Sequence, residues 1–236
     1  MKLNFTNERL LAVVAHPDDA ELLCAGTLAR ARAEGAAIGI CMLCRGEKGQ
    51  PAKPIPNLST VRRREMGVAA RLLGAELFCV GVSDGTLSDS GVTRQKLTAI
   101  FRRFRPTLVL AHAPEDYHPD HRAAAALAEA ASWFCASPGY KAGTVPLPAA
   151  PALWWMDTLN MIGFDPGFFV DISPYLGLKE QMLACHRSQL ARGKGKDFAP
   201  LADLMRQQCQ VRGSQSGVAA AEAFRAHHAF KRGRAW

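Results

Sequence analysis

No stretch of this chain approaches the roughly 20 consecutive apolar residues that a membrane-spanning helix requires, so no transmembrane segment is expected. The first residues, MKLNFTNERL, lack a basic start followed by a long apolar core, and no signal peptide is expected. The cysteines number seven, odd and scattered, which fits a reducing cytoplasm better than a disulfide framework. The first strand–helix turn carries no G-x-G-x-x-G, and no G-x-x-x-x-G-K-[ST] occurs anywhere, which counts against a nucleotide-binding module. Basic residues are spread over VRRRE, FRRFR, ARGKGKD and FKRGRAW and not gathered in one patch, so no nucleic-acid partner is expected. There is no internal repeat and no clean domain boundary, so residues 1–236 are expected to form a single domain.

What is present is a 236-residue chain, 48% hydrophobic, with a formal charge of +8. That composition suffices for a substantial core. Apolar β-type runs alternate with helical patterns. RLLAVVAH reads as the first strand, residues 20–34 as a helix stopped at Gly35, and AAIGICMLC as the second strand. A Gly- and Pro-rich loop follows, then the helix VRRREMGVAARLLG, with Ser59 or Thr60 as its cap and Gly74 as its stop. ELFCVGV, the helix TRQKLTAIFRRF, TLVLAHA and the helix PDHRAAAALAEAASWF continue the alternation. Beyond residue 137, ALWWMDTLNM and GFFVDIS read as strands and PYLGLKEQMLACHRSQ as a helix. The basic segment after Phe224 reads as a mobile tail.

This alternation predicts an α/β fold: a Rossmann-like, mostly parallel sheet with helices on both faces. Such sheets bind ligands beyond the carboxyl ends of their strands. Two clusters, His16–Asp19 and Asp116–His121, fall at such ends, and the fold would bring them onto one rim.

His16, Asp19 and His121 offer two nitrogens and one carboxylate, leaving a coordination position open, as in hydrolytic zinc sites. The same set suits Fe²⁺ or another divalent ion. Asp18, beside a ligand but pointing elsewhere, is placed to take a proton from the water such an ion activates. His118 precedes a ligand by three residues and can sit over the site without binding metal. Asp120 can orient its ring and favour its protonated form. Taken singly, Asp18, Asp19 and Asp120 are ordinary helix caps. Two His/Asp clusters at corresponding strand ends weigh against that reading. A metal-dependent phosphoesterase with a two-metal centre remains an alternative, and a nucleotide-binding module a weaker one, because adjacent carboxylates would repel a pyrophosphate.

Several residues read as structural. Cys41 and Cys44 form a C-x-x-C within a strand, where residues three apart face opposite ways, so they are expected to be core thiols and not a zinc pair. Trp154 and Trp155 should likewise face opposite sides, at least one of them in the core. His186 reads as a packed or surface residue, and His227 and His228 as solvated.

AHPDDAE followed by HPDH resembles the LmbE-like or PIG-L-type zinc-dependent N-acetylglucosaminyl deacetylases, nearest the bacillithiol-biosynthesis branch. RGEKG, VRRRE, SDG, FVDIS, HRSQ and AEAF extend the likeness over nearly the whole chain. The resemblance implies removal of an acetyl group from an N-acetylglucosamine moiety. It gives His16, Asp19 and His121 as metal ligands, Asp18 as general base, and His118 as the residue steadying the tetrahedral intermediate, with Asp120 as partner. Arg62, Glu47 and Asp84 fall on the substrate side. Ala220 departs from the pattern, on the acceptor side of the substrate. The expected cofactor is Zn²⁺, and the expected partner a small N-acetylated sugar. A homo-oligomer is also expected, with residues 153–169 as its interface.

Overall fold

The computed structural model describes residues 4–143, 145–191 and 200–228. Five apolar runs make the parallel part of one sheet: β1 (Arg9–Val14), β2 (Ala37–Cys44), β3 (Glu76–Val82), β4 (Leu108–His112) and β5 (Ala152–Met156). β6 (Phe168–Asp171) and β7 (Ala221–Ala226) complete it, with β7 antiparallel to both its neighbours. The strand order is β3-β2-β1-β4-β5-β7-β6. The chain therefore winds outward from β1 in one direction and, after β3, returns to wind outward from β4 in the other. Their boundary is the switch point where open α/β sheets form a crevice. Both sequence clusters follow these two strands.

Alternation along each strand divides the core in two. Leu10, Ala12 and Val14 face α2 (Ala25–Ala33), α3 (Leu58–Leu73), α6 (Leu176–Ala184) and α8 (Leu201–Ser216). Leu11, Val13 and Ala15 face α4 (Gly91–Phe104) and α5 (Pro119–Phe134). The sheet is thus covered on both sides, and β1 is apolar from Leu10 onward because neither face there meets water. Trp154 joins the first core and Trp155 the second, both buried, so neither ring is open for stacking on a sugar. Among the described residues, no helix is long and apolar enough to cross a membrane.

Several local expectations are corrected. The segment 20–34 is two helices, α1 (Asp19–Leu23) and α2, broken at Cys24. The break is stabilised from far along the chain: the Glu222 carboxylate accepts the amide hydrogens of Gly26 (2.9 Å) and Thr27 (2.7 Å) at the start of α2. Gly26 is required there, since a Cβ would sit 2.6 Å from Ile172 Cδ1. Ser59 and Thr60 lie inside the first turn of α3, whose cap position is Asn57 in a left-handed conformation (φ 53°). Cys41 and Cys44 are both buried in the second core, core thiols as expected. The helix through HRSQ breaks at His186 into α6 and a short α7 (Arg187–Leu190). α8 and β7 went unread in the sequence. β7 runs past Phe224 to Ala226, and His227 packs on Trp155, 3.5 Å from Glu129; the tail from 229 lies outside the described residues. Ala220 is buried in the first core and does not line the active-site cavity.

Glu222 is balanced by Lys179, itself fully buried, at 2.5 Å. Removing one partner of a buried pair leaves an uncompensated charge, at a cost of about 3–5 kcal/mol. Lys179→Met should therefore lower the urea midpoint by a comparable stability loss, and an unchanged midpoint would contradict the pairing.

Candidate active site

β1 delivers its chain to the rim in the sequence His16-Pro17-Asp18-Asp19. Asp18 takes φ 99°, a left-handed conformation that costs a non-glycine residue on the order of 1–3 kcal/mol. It occupies the cap position of α1, yet its side chain makes no capping hydrogen bond. Its carboxylate is instead buried on the wall of the cavity, where Oδ2 accepts no hydrogen bond from the described residues. Asp19 Oδ2 accepts the His16 amide hydrogen at 2.7 Å, which fixes the turn.

That same oxygen is the centre of the cluster. It lies 3.6 Å from His16 Nδ1 and 3.5 Å from His121 Nε2. Each imidazole is held from behind by another carboxylate. His16 Nε2 is 3.0 Å from Asp120 Oδ2, and His121 Nδ1 is 3.0 Å from Asp116 Oδ1. Carboxylates in that position set the tautomer of a metal-binding histidine and raise its basicity. Asp116 had no role in the sequence reading. Asp120 was paired there with His118, but its carboxylate goes to His16 and to the Gly85 amide (2.8 Å). Its contact with His118 is through the backbone: the Asp120 amide donates to His118 Nδ1 at 3.1 Å, capping α5.

The donor set fits a divalent ion. Tetrahedral coordination with bonds of about 2.1 Å puts ligand atoms roughly 3.4 Å apart, close to the two separations around Asp19. Other donors converge as well: the groups His16–His118–His121, Asp19–His112–His121 and His16–Cys44–Asp120 each lie within 4.8 Å. Cys44 is disfavoured, because burial and the nearby Asp120 and Asp84 push its thiol well up and keep it protonated. His118 Nδ1 is taken by the α5 cap. His112, also absent from the sequence reading, is wholly buried, stacks on His121 (3.9 Å between centroids) and faces both Asp19 Oδ2 (3.2 Å) and the Ala15 amide (3.1 Å). Its signal was available: TLVLAH ends in histidine as AVVAH does.

Electrostatics follow from this packing. Burial favours a neutral Asp19, but His121 and His112 outweigh it and hold the carboxylate well below its usual range. Burial also opposes charge on His16 and His121. Asp19, joined at His121 by Asp116, outweighs it and raises them to about 9 and about 10. Asp18 goes the other way: burial, and then repulsion from Asp19, raise it to about 7. His118 is lowered, by burial first and then by His121 and His16.

These shifts predict how metal uptake depends on pH. An imidazole must lose its proton to bind an ion, and at pH 7 both His16 and His121 carry one in the metal-free protein. Uptake should therefore release up to two protons, and apparent affinity should rise as pH climbs toward 9–10. Folding stability of the metal-free protein should move oppositely. Both folded-state values are raised, so their contribution is complete below the unfolded histidine value of 6.5 and is lost as pH rises through 9–10. The rise in melting temperature on adding zinc should accordingly grow between pH 6.5 and 9. A pH-independent increment would contradict these ionisations.

A cavity of about 430 Å³ opens over the cluster, lined by Lys48, Arg62, Tyr117, Leu159, Gln189 and Leu201 besides the catalytic candidates. Arg62 is buried and donates to the Gly49 carbonyl (2.8 Å) and to Gln189 Oε1. Gly46, at φ 77°, makes room for it; a Cβ would lie 2.6 Å from Arg62 Cδ. Asp84 lines the cavity, but its oxygens accept the Gly46 (2.7 Å) and Lys48 (3.0 Å) amides, so it shapes the RGEKG loop. Glu47 accepts the Ser83 hydroxyl and does not line the cavity. The structure thus brings His16, Asp18, Asp19, His118, Asp120, His121, Arg62 and Asp84 together and leaves Glu47 outside.

A doubly wound sheet with an imidazole–carboxylate cluster fit for a divalent ion at its switch point is the architecture of a metal-dependent α/β enzyme. The pattern of the PIG-L family, described as GlcNAc-PI de-N-acetylase, matches residues 11–132, and the chain belongs to that family. The N,N'-diacetylchitobiose deacetylase of Pyrococcus horikoshii has a similar structure, with a TM-score of 0.81 and 26% identity, over 93% of this chain and 84% of that one. A conserved protein from Thermus thermophilus is 35% identical with a TM-score of 0.79, over 97% of this chain and 100% of its own. Among relatives by sequence, a 4-oxalmesaconate hydratase of Pseudomonas putida is 27% identical over 79% of this chain and 76% of its own length.

Proposed function

We propose that the protein is a zinc-dependent N-deacetylase that hydrolyses the acetamide of a GlcNAc-type amino sugar or glycoside, in the cytoplasm. The observation that carries this reading is Asp18: a buried carboxylate, free of any capping bond, raised to about 7 and set beside the Asp19 cluster. A divalent ion held by His16, Asp19 and His121 would supply Lewis acidity to the amide carbonyl and make water acidic enough to ionise near neutrality. Asp18 accepts the proton of the attacking water and later passes it to the leaving amine. His118 steadies the oxyanion. Its Nδ1 accepts from the Asp120 amide, so the ring proton sits on Nε2 and a neutral imidazole is the donor. This revises the sequence expectation of a protonated His118, because protonating Nδ1 would break the cap of α5. Arg62, tied to Gln189 and the Gly49 carbonyl, offers a fixed cation to the sugar side. The free thiols at all seven cysteines suit a reducing compartment.

His118→Ala should cut turnover by roughly 10²–10³, the scale of losing one oxyanion donor. The alkaline limb of the pH profile should stay in place, because a neutral His118 does not titrate there. Loss of that limb would restore the protonated form.

The hydratase relative favours a second reading, in which the same base and ion add water across a conjugated C=C bond. A panel of N-acetylglucosamine, N,N'-diacetylchitobiose and an unsaturated oxo-acid separates the two. The first reading predicts free amine and acetate. Water addition without acetate release would support the second.

A further inference from the structure

The two flanks of the cavity differ in chemistry. Its centre is the His16–Asp19 turn and the HPDH segment, which follow the adjacent strands β1 and β4. On the β2 side stand Lys48, Arg62 and Gln189. There the Arg62 guanidinium is tied to the Gly49 carbonyl and to Gln189, and the Lys48 amide to Asp84. That wall is polar and suits the hydroxyls of a sugar. On the β5 side the cavity is lined instead by Leu159, in the loop after β5, and Leu201, the first residue of α8. Leu22 of α1, which packs on α8, joins them. All three leucines belong to the first core, so at this flank the core itself reaches the cavity.

The apolar wall is preformed. Gln208 of α8 donates to the Thr158 carbonyl (2.7 Å), and Arg212 Nε donates to Asp157 Oδ2 (2.7 Å). The Thr158 hydroxyl donates to the Ile162 carbonyl (2.9 Å), closing the loop on itself. Gln208, Arg212, Asp157 and Thr158 are all buried. α8 therefore fixes both its own Leu201 and the neighbour of Leu159. An acetyl methyl covers only a small part of three leucine side chains, and the gain from burying apolar surface grows with the area covered.

We propose that the β5 flank is an acyl pocket, and that the protein hydrolyses N-propionyl and N-butyryl amino sugars in preference to N-acetyl ones. The proposal rests on the reading of the site as an N-deacetylase and extends it on the acyl side of the amide. With the sugar ring on the polar flank, the chain across the scissile bond runs toward Leu22, Leu159 and Leu201. The chemistry is the same for every chain length. The oxygen of water bonds to the acyl carbon and the C–N bond breaks. Both protons of that water end on the nitrogen, the first by way of Asp18. The products are a carboxylate and the ammonium form of the amino sugar.

Zinc-loaded protein is assayed with glucosamine carrying N-acetyl, N-propionyl or N-butyryl groups, with free amine as readout. kcat/KM should rise about fourfold per added methylene, the scale of burying one CH₂. Leu159→Asn and Leu201→Asn should each lower the butyryl-to-acetyl ratio of kcat/KM by about tenfold, as loss of an apolar pocket contact does. Leu159 is half-buried in a loop, so its replacement should keep the fold, which circular dichroism checks. A wild-type ratio at or below one, or a ratio that neither variant moves, would overturn the proposal. Butyl in place of methyl at the anomeric oxygen of N-acetylglucosamine should gain little. A gain there that Leu159→Asn removes would assign the leucines to the aglycone and also overturn it. Binding needs no turnover. From acetohydroxamate to butyrohydroxamate, whose alkyl group stands for the acyl chain, affinity for the zinc-loaded protein should rise by about fourfold per methylene. If no N-acyl sugar releases amine, the deacetylase reading fails, and the hydroxamates still decide the pocket: a rise that Leu159→Asn removes supports it, and a flat series, or a rise that Leu159→Asn leaves in place, overturns it.

Discussion

His121→Ala should yield a folded protein without metal and without activity. His121 occupies the first turn of α5, 7% exposed, with Nε2 toward Asp19 and Nδ1 on Asp116. Removing a carboxylate that merely supports a ligand costs roughly 10–100-fold in metal affinity, and removing the ligand itself should cost more. Most of the fold should survive, because α5 keeps its His118 cap and the two cores are untouched. Some stability should go, since Asp116 and Asp19 each lose the imidazole that offsets their burial. Metal content measured beside circular dichroism checks both halves. Full occupancy in a folded variant would remove His121 from the ligand set and point to His112 or His118, which lie within reach of the remaining donors.

Asp18→Asn should keep its metal and lose turnover by about 10²–10⁴, the scale of a positioned general base. Asparagine has the same shape and cannot accept the proton. The change should not weaken the fold. Burial and Asp19 raise the folded-state value of Asp18 to about 7, so the wild-type charge is a burden that grows as pH rises from about 4 to 7. With the metal stripped from both, the variant should therefore match wild type in stability near pH 3 and exceed it at pH 8. Turnover close to normal would mean that another group takes the proton. In wild type the acid limb of the rate profile should fall at or below pH 7, since a nearby cation lowers a carboxylate's value.

Much of this site was legible in the sequence, because its groups sit next to strand ends and strand ends are what apolar periodicity marks best. His16, Asp18, Asp19, His118 and His121 all follow β1 or β4 directly, and the strand–helix alternation was enough to place those ends side by side. What escaped depended on pairing between distant segments. Nothing local in HPDH says that the Asp120 carboxylate turns to His16 and only its amide meets His118. The break at Cys24 depends on Glu222, nearly two hundred residues on, and no window over residues 20–34 contains it. His186 reads as an ordinary helical histidine until α7 folds back onto α1 and α3. α8 is long but weakly amphipathic in its order of residues, and it is buried by packing on β7, which the sequence reading also left out.

The most direct test of the central claim is acetate and free amine measured together from N,N'-diacetylchitobiose and N-acetylglucosamine, with chelator-stripped protein and after zinc is restored. The stripped protein should be silent and, with zinc restored, should release amine and acetate in equal amounts, saturating at one ion per chain. Undiminished amine release from the stripped protein, or zinc-loaded protein that hydrolyses no N-acetyl sugar while hydrating an unsaturated oxo-acid, would contradict it.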